Sequence, residues 1–140
     1  MAITSNGSAT WSGDLATGSG TATLGGGSSF DMSWKARAES QGGTTPEELI
    51  AAAHASCFSM ALSNILGEAG HAPESLSTSA KVTFVAGTGI TTSALSVSGR
   101  VPGIDQAQFS EFAGQAEQGC PVSQALAGVE ISLESATLED

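Results

Sequence analysis

The sequence predicts an α+β fold, with antiparallel sheets packed on one long central helix. Three observations predict it. Residues 8–38 alternate polar and apolar side chains between glycine clusters. Residues 49–66 form an apolar stretch too long for a strand. From residue 75 onward, alternation returns in two long segments. At 140 residues the chain is expected as one domain, 1–140, long enough to bury a core.

The first strands are expected at 9–12, 17–24 and 30–38. The second alternates Thr with Ala or Leu, and the third sets Phe30, Met32 and Trp34 against polar neighbours. Gly18-Ser19-Gly20 and Gly25-Gly26-Gly27 suit tight turns between them.

Thr44-Thr45-Pro46-Glu47-Glu48 is the strongest helix start in the chain. Thr45 fits the N-cap and Pro46 the first helical position. Glu48 falls three residues after the cap and completes a capping box. Glu47 is thereby left to point elsewhere. The helix is expected from 46 to about 68, with Gly67 and Gly70 as stop signals. Its apolar residues lie all round, so it is expected to be covered on most sides. It is nearly long enough to span a bilayer, but it carries His54, Ser56, Ser59, Ser63 and Asn64. It is therefore read as buried in protein.

Two long strands follow, at 75–86 and 90–101, joined as a hairpin by Gly87-Thr88-Gly89. Ala80, Val82 and Phe84 mark one face of the first; Leu95, Val97 and Val101 mark one face of the second. A second helix is expected over 105–118, with Phe109, Phe112 and Ala116 apolar. Cys120-Pro121 opens a third, short helix to about 126, and Val129, Ile131 and Leu133 mark a last strand. The predicted order is βββ-α-ββ-α-α-β.

Charge excludes whole classes of function. With 4 cationic and 14 anionic side chains the net charge is −10. No basic patch can form, which argues against nucleic-acid binding and against attraction to an anionic membrane. Residues 1–13 lack a cationic segment followed by an apolar run, so no export signal is expected. Two cysteines without export point to the cytoplasm, where paired thiols are more often redox-active than structural.

Cys57 and Cys120 are the only cysteines. A cysteine acts as a nucleophile through its thiolate, which needs positive charge nearby. Cys120, at the start of a helix, gains from the dipole. Cys57 lies mid-helix, where burial would raise its pKa. It therefore needs a cation from elsewhere, and the permanent cations are Lys35, Arg37, Lys81 and Arg100. Arg37 precedes the loop into the central helix, so Glu47 can hold its guanidinium in a bidentate pair and aim it at a thiolate. The blander reading of Arg37 is an exposed strand residue. Glu47 and Cys57 are ten residues apart on one helix, roughly 15 Å along its axis. Either Arg37 spans that distance alone, or Arg37 and Glu47 of one subunit meet Cys57 of another. The second option pairs central helices across a two-fold axis. His54, at i−3 from Cys57, is either a general base or a buried histidine bonded to backbone.

These residues allow three other readings. Cys57, His54, Cys120 and His71 could form a Cys2His2 zinc set, but their spacing is not that of a compact zinc motif. A cysteine hydrolase using Cys57 and His54 needs an oxyanion hole that a mid-helix residue does not supply. A non-enzymatic stress protein would carry both thiols as core filler.

The residues Thr45-Pro46-Glu47-Glu48-Leu49-Ile50 and Ala52-Ala53-His54-Ala55-Ser56-Cys57-Phe58-Ser59-Met60-Ala61-Leu62 resemble the core of the OsmC/Ohr family. Cys120-Pro121-Val122-Ser123 resembles its second motif. Leu66-Gly67-Glu68-Ala69-Gly70 and Val101-Pro102-Gly103-Ile104-Asp105 favour the OsmC branch. The resemblance covers nearly the whole chain. It implies a cysteine-based peroxidase acting on organic hydroperoxides and more weakly on hydrogen peroxide. It also implies an intertwined homodimer with active sites at the subunit interface. By matching motif, Cys57 is the peroxidatic residue and Cys120 the resolving one, and Glu47 orients Arg37. A dithiol of lipoyl type is the implied reductant, and no metal, flavin or haem is implied.

Overall fold

A computed structural model describes all 140 residues. The elements run β1 (Gly7–Ser12), β2 (Ser19–Leu24), β3 (Ser29–Met32), α1 (Trp34–Glu39), α2 (Pro46–Glu68), β4 (Ser75–Val85), β5 (Gly89–Arg100), α3 (Gln106–Gly119), α4 (Pro121–Ala125) and β6 (Glu130–Leu138). The contacts gather into two compact units, Met1–Leu49 and Ile50–Asp140.

In the first unit, β1, β2 and β3 form an antiparallel meander. The third strand is shorter than the alternation predicts, because the chain turns helical after Met32. Ser33 is the N-cap, and its hydroxyl accepts from the Ala36 N–H at 3.1 Å. The residues that follow it, Lys35, Ala36 and Arg37, are strong helix formers. A local cap plus local propensity thus overrides the two-residue period, and Arg37 sits in the last turn of a helix instead of at a strand end. The helix ends at Ser40 in the left-handed region (φ 55°). The return to α2 needs two more left-handed residues, Gly42 (φ 65°) and Gly43 (φ 78°). A Cβ on Gly43 would also lie 2.9 Å from the Asp31 carbonyl oxygen. The Thr44 N–H donates to that same oxygen at 3.0 Å, which ties the loop to the end of β3.

Thr45 caps α2 as its sequence predicts: its Oγ1 accepts from the Glu48 N–H at 3.0 Å. Only this half of the expected capping box forms. A complete box stands at α3 instead, where Asp105 accepts from the Gln108 N–H and Gln108 accepts from the Asp105 N–H.

In the second unit, β4 and β5 form the predicted hairpin. The last strand departs from the all-antiparallel expectation, since β6 lies parallel to β5. A parallel partner requires a crossover, and α3 with α4 supplies it. Ser93, Leu95, Val97 and Gly99 of β5 point alternately into the core. Phe109 of α3 packs there so closely that a Cβ on Gly99 would lie 3.0 Å from its Cζ. From α2, the stripe His54, Phe58, Leu62 and Leu66 is fully buried. These positions recur every four residues, as one face of a helix must. Beyond this stripe and Glu47, α2 is at most partly covered within the chain, contrary to expectation, and Met60 is 71% exposed. Ala52, Ala53 and Met60 therefore look outward, together with Ser56, Ser63 and Asn64.

Candidate active site

The four residues singled out above form two pairs, one in each unit. In the first unit, α1 and the N-terminus of α2 hold Arg37 and Glu47. Arg37 Nε donates to Glu47 Oε1 at 2.9 Å and Nη2 donates to the same oxygen at 2.7 Å. The expected fork onto both carboxylate oxygens is thus replaced by two donors on one oxygen. Glu47 is 6% exposed, and its position in the first turn of α2 favours a negative charge. A buried carboxylate with two charge-assisted bonds holds a guanidinium in one orientation. The blander reading of Arg37 as an exposed strand residue is excluded by its helix and its partner.

In the second unit, α2 brings Cys57 to the corner between α3 and α4, where Cys120 ends one helix and caps the next. Cys120 is fully buried and Cys57 partly exposed; both are free thiols. Burial pushes the Cys57 thiol above its ordinary value, and the Cys120 thiol beside it adds to that shift. The backbone amide of Val122, beside the Cys57 sulfur, acts in the opposite sense and favours the thiolate. Cys57 therefore receives the amide assistance that its mid-helix position denies it, because α4 delivers an N–H from outside. The cations of this unit, Lys81 and Arg100, do not contribute: Lys81 faces solvent beside Glu134, and Arg100 is exposed at the end of β5.

His54 is fully buried. Its Nδ1 lies 2.6 Å from Ser93 Oγ and its Nε2 lies 2.8 Å from Ser123 Oγ. Its partners are serine hydroxyls and not backbone, as the blander expectation had it. Burial lowers its pKa, which keeps the ring neutral. With both nitrogens occupied by serines, His54 is not placed to take a proton from Cys57. The Cys2His2 set does not assemble either, since no three His, Cys, Asp or Glu side chains gather as it would require.

Ser93, Ser123 and the Val122 amide were not foreseen. Ser93 was detectable as a hydroxyl at the core-facing parity of a strand that otherwise buries Leu95 and Val97. Ser123 stands three residues after Cys120, on the first turn of the helix that Cys120 begins.

Residues 38–134 match the family described as OsmC-like protein. The chain is 47% identical over 131 residues to Peroxiredoxin OsmC of Escherichia coli (strain K12), covering 90% of this chain and 92% of that one. The Shigella flexneri protein of the same name matches equally. Among solved structures, the organic hydroperoxide resistance protein OhrB of Bacillus subtilis is 27% identical with a TM-score of 0.69, covering 95% of this chain and 98% of that one. An OsmC-like protein of Mycoplasma pneumoniae shares the fold at 17% identity, with a TM-score of 0.74 and full coverage of both chains. On these matches, the chain belongs to the OsmC-like family and is a cysteine-based peroxidase.

Proposed function

We propose that this chain reduces organic hydroperoxides, and hydrogen peroxide more weakly, through a Cys57–Cys120 disulfide cycle. The Cys57 thiolate attacks the distal peroxide oxygen. The O–O bond breaks, an alcohol leaves with a proton, and Cys57 becomes a sulfenic acid. The Cys120 thiol attacks that sulfur, releasing water and forming the disulfide. A dithiol, of lipoyl type by family resemblance, returns both thiols and is itself oxidised. The cycle calls on no metal, flavin or haem. The observation that carries this reading is that Cys57 packs against the buried cluster that contains Cys120, near enough for the Cys120 thiol and the Val122 amide to act on it.

Cys57 still needs a cation, since burial favours its protonated form. Arg37, oriented by Glu47, is the group we assign to it. It would stabilise the thiolate and the charge developing on the departing alkoxide. We assign it across a homodimer: Arg37 and Glu47 of one copy complete the site around Cys57 of the other. Two observations support a second copy. The outward face of α2 exposes Met60 with Ala52 and Ala53 among small polar residues, and the first unit buries only Ala36 and Glu47. The two units of a chain would then serve as one domain, completed by its twin. The cytoplasm, with its reducing dithiols, is the compartment this chemistry suits.

A free-thiol count before and after one equivalent of organic hydroperoxide tests the cycle. Loss of both thiols, restored by a dithiol, is the expected result. Two thiols left unchanged would sink it. Cys120→Ser should still permit one turnover and then stall at the sulfenic acid. Mixing inactive Arg37→Ala and Cys57→Ser chains tests the shared site. Recovered activity is expected, because one site per mixed dimer is then whole; none would place Arg37 and Cys57 in the same chain's site.

A further inference from the structure

We infer that His54 is a positioning residue for the sulfur pair: acting through Ser123, it holds the Val122 N–H against the Cys57 sulfur. His54, Ser93 and Ser123 join α2, β5 and α4 at one buried point. Around them the core is apolar, built from Phe58, Leu62, Leu66, Leu95 and Phe109. A polar group in such surroundings is costly unless fully bonded, and an apolar side chain would hold α2 to the sheet without that cost. This triad is fully bonded. A neutral imidazole donates from one nitrogen and accepts at the other, and each serine hydroxyl can supply the complement. What the triad adds over an apolar contact is direction.

The direction matters at α4. That helix has five residues, too few to hold its own geometry. Ser123, through which His54 grips it, directly follows Val122 and stands three residues after Cys120. On α2, His54 precedes Cys57 by three residues, so ring and sulfur leave neighbouring positions of one face. The two residues thus reach the same short turn of α4 side by side. The imidazole bonds Ser123, and the sulfur lies beside the Val122 amide and Cys120. Release of the first contact lets α4 drift and withdraws the N–H that favours the Cys57 thiolate.

The test reads Cys57 alone, without peroxide or reductant. The full chain is alkylated with iodoacetamide across a pH series, and the Cys57 and Cys120 peptides are quantified separately. Cys120, the titratable group facing Cys57, is thereby followed in the same digest. Ser123→Ala and His54→Asn should each raise the Cys57 pKa by about one unit, roughly a tenfold loss of thiolate at a given lower pH. An asparagine amide reaches the Nδ1 position and keeps only Ser93. His54→Gln, whose amide reaches the Nε2 position, should stay at the wild-type value. An unchanged or lower Cys57 pKa in folded Ser123→Ala would overturn the inference. So would equal shifts in the Gln and Asn variants, which would mean that His54 acts through packing. The kinetic consequence rests on the peroxidase cycle, but the pKa does not. A wild-type chain that consumes no peroxide yet shows these shifts would defeat the cycle and leave the positioning intact.

Discussion

Residues 50–140 bury Phe58, Leu62, Leu66, Leu95, Val97, Val101 and Phe109, whereas residues 1–49 bury only Ala36 and Glu47. The larger unit is a sheet covered by helices, with Cys120 inside that core and Cys57 packed against it. The smaller is a three-stranded meander whose Trp11 and Leu24 are each 44% exposed. Three strands need a covered apolar face to be stable, and this meander does not find one in its own unit. Each unit nevertheless holds polar order: a part-buried ion pair in the smaller, and in the larger a thiol pair beside the buried His54–Ser93–Ser123 triad. Packing density and chemical order are separate properties here. The smaller unit fixes an arginine by two bonds to one carboxylate oxygen and a glycine-dependent loop, without a core of its own.

The contrast can be broken most severely at the sulfur. Cys57→Ser should abolish peroxide consumption while leaving the thermal transition near wild type, measured by an oxidation assay and by calorimetry. Residual turnover in that variant would shift the nucleophile to Cys120. Next in size, Arg37→Ala should lower kcat/KM for peroxide by about 10²–10³-fold, the usual cost of removing one charge-stabilising donor. Arg37→Lys should recover little of it, because an ammonium cannot reproduce the guanidinium's two donors on Glu47. Full activity in Arg37→Ala would leave the smaller unit without a chemical role.

Stability should divide along the same line. Phe58→Ala removes a fully buried ring and should destabilise by about 3–5 kcal/mol in urea unfolding. Leu24→Ala should cost less than about 1 kcal/mol if its side chain stays as exposed as it is in one chain. A larger cost that depends on protein concentration would mean that a second copy covers the meander.

The smallest effect concerns pH. Burial holds the His54 pKa below its ordinary 6.5, so the unfolded chain binds a proton that the folded chain refuses. The stability tied to His54 is complete above the unfolded value and declines as pH falls below it. The urea midpoint should therefore drop on mild acidification, and His54→Gln should flatten that part of the slope. An identical slope in both proteins would mean that other groups carry the acid sensitivity.

Much of the site was legible because its signals are local. Pro46 after Thr45 marks a helix start, and that start puts Glu47 in the first turn. Ten residues of helix then separate Glu47 from Cys57. Other features were legible only in part. The alternation through Phe30, Met32 and Trp34 was followed past its true end, since Ser33 could cap a helix and the period alone does not say so. β6 alternates as an antiparallel strand would, and alternation carries no information about strand direction.

By itself, the sequence determined which residues can do the chemistry: two thiols, one arginine followed by an acid at a helix start, and too few cations for nucleic acid. These are properties of residue type and near-neighbour spacing. Only the tertiary structure decided how they meet. It gave Arg37 a helix and a single carboxylate oxygen, and it exposed the outer face of α2. It bonded His54 to Ser93, 39 residues away, and to Ser123, 69 residues away. It also brought the Val122 amide to Cys57, 65 positions earlier in the chain. Contacts across such separations depend on how the sheet and its crossover fold back on α2, and no local period or cap encodes that return.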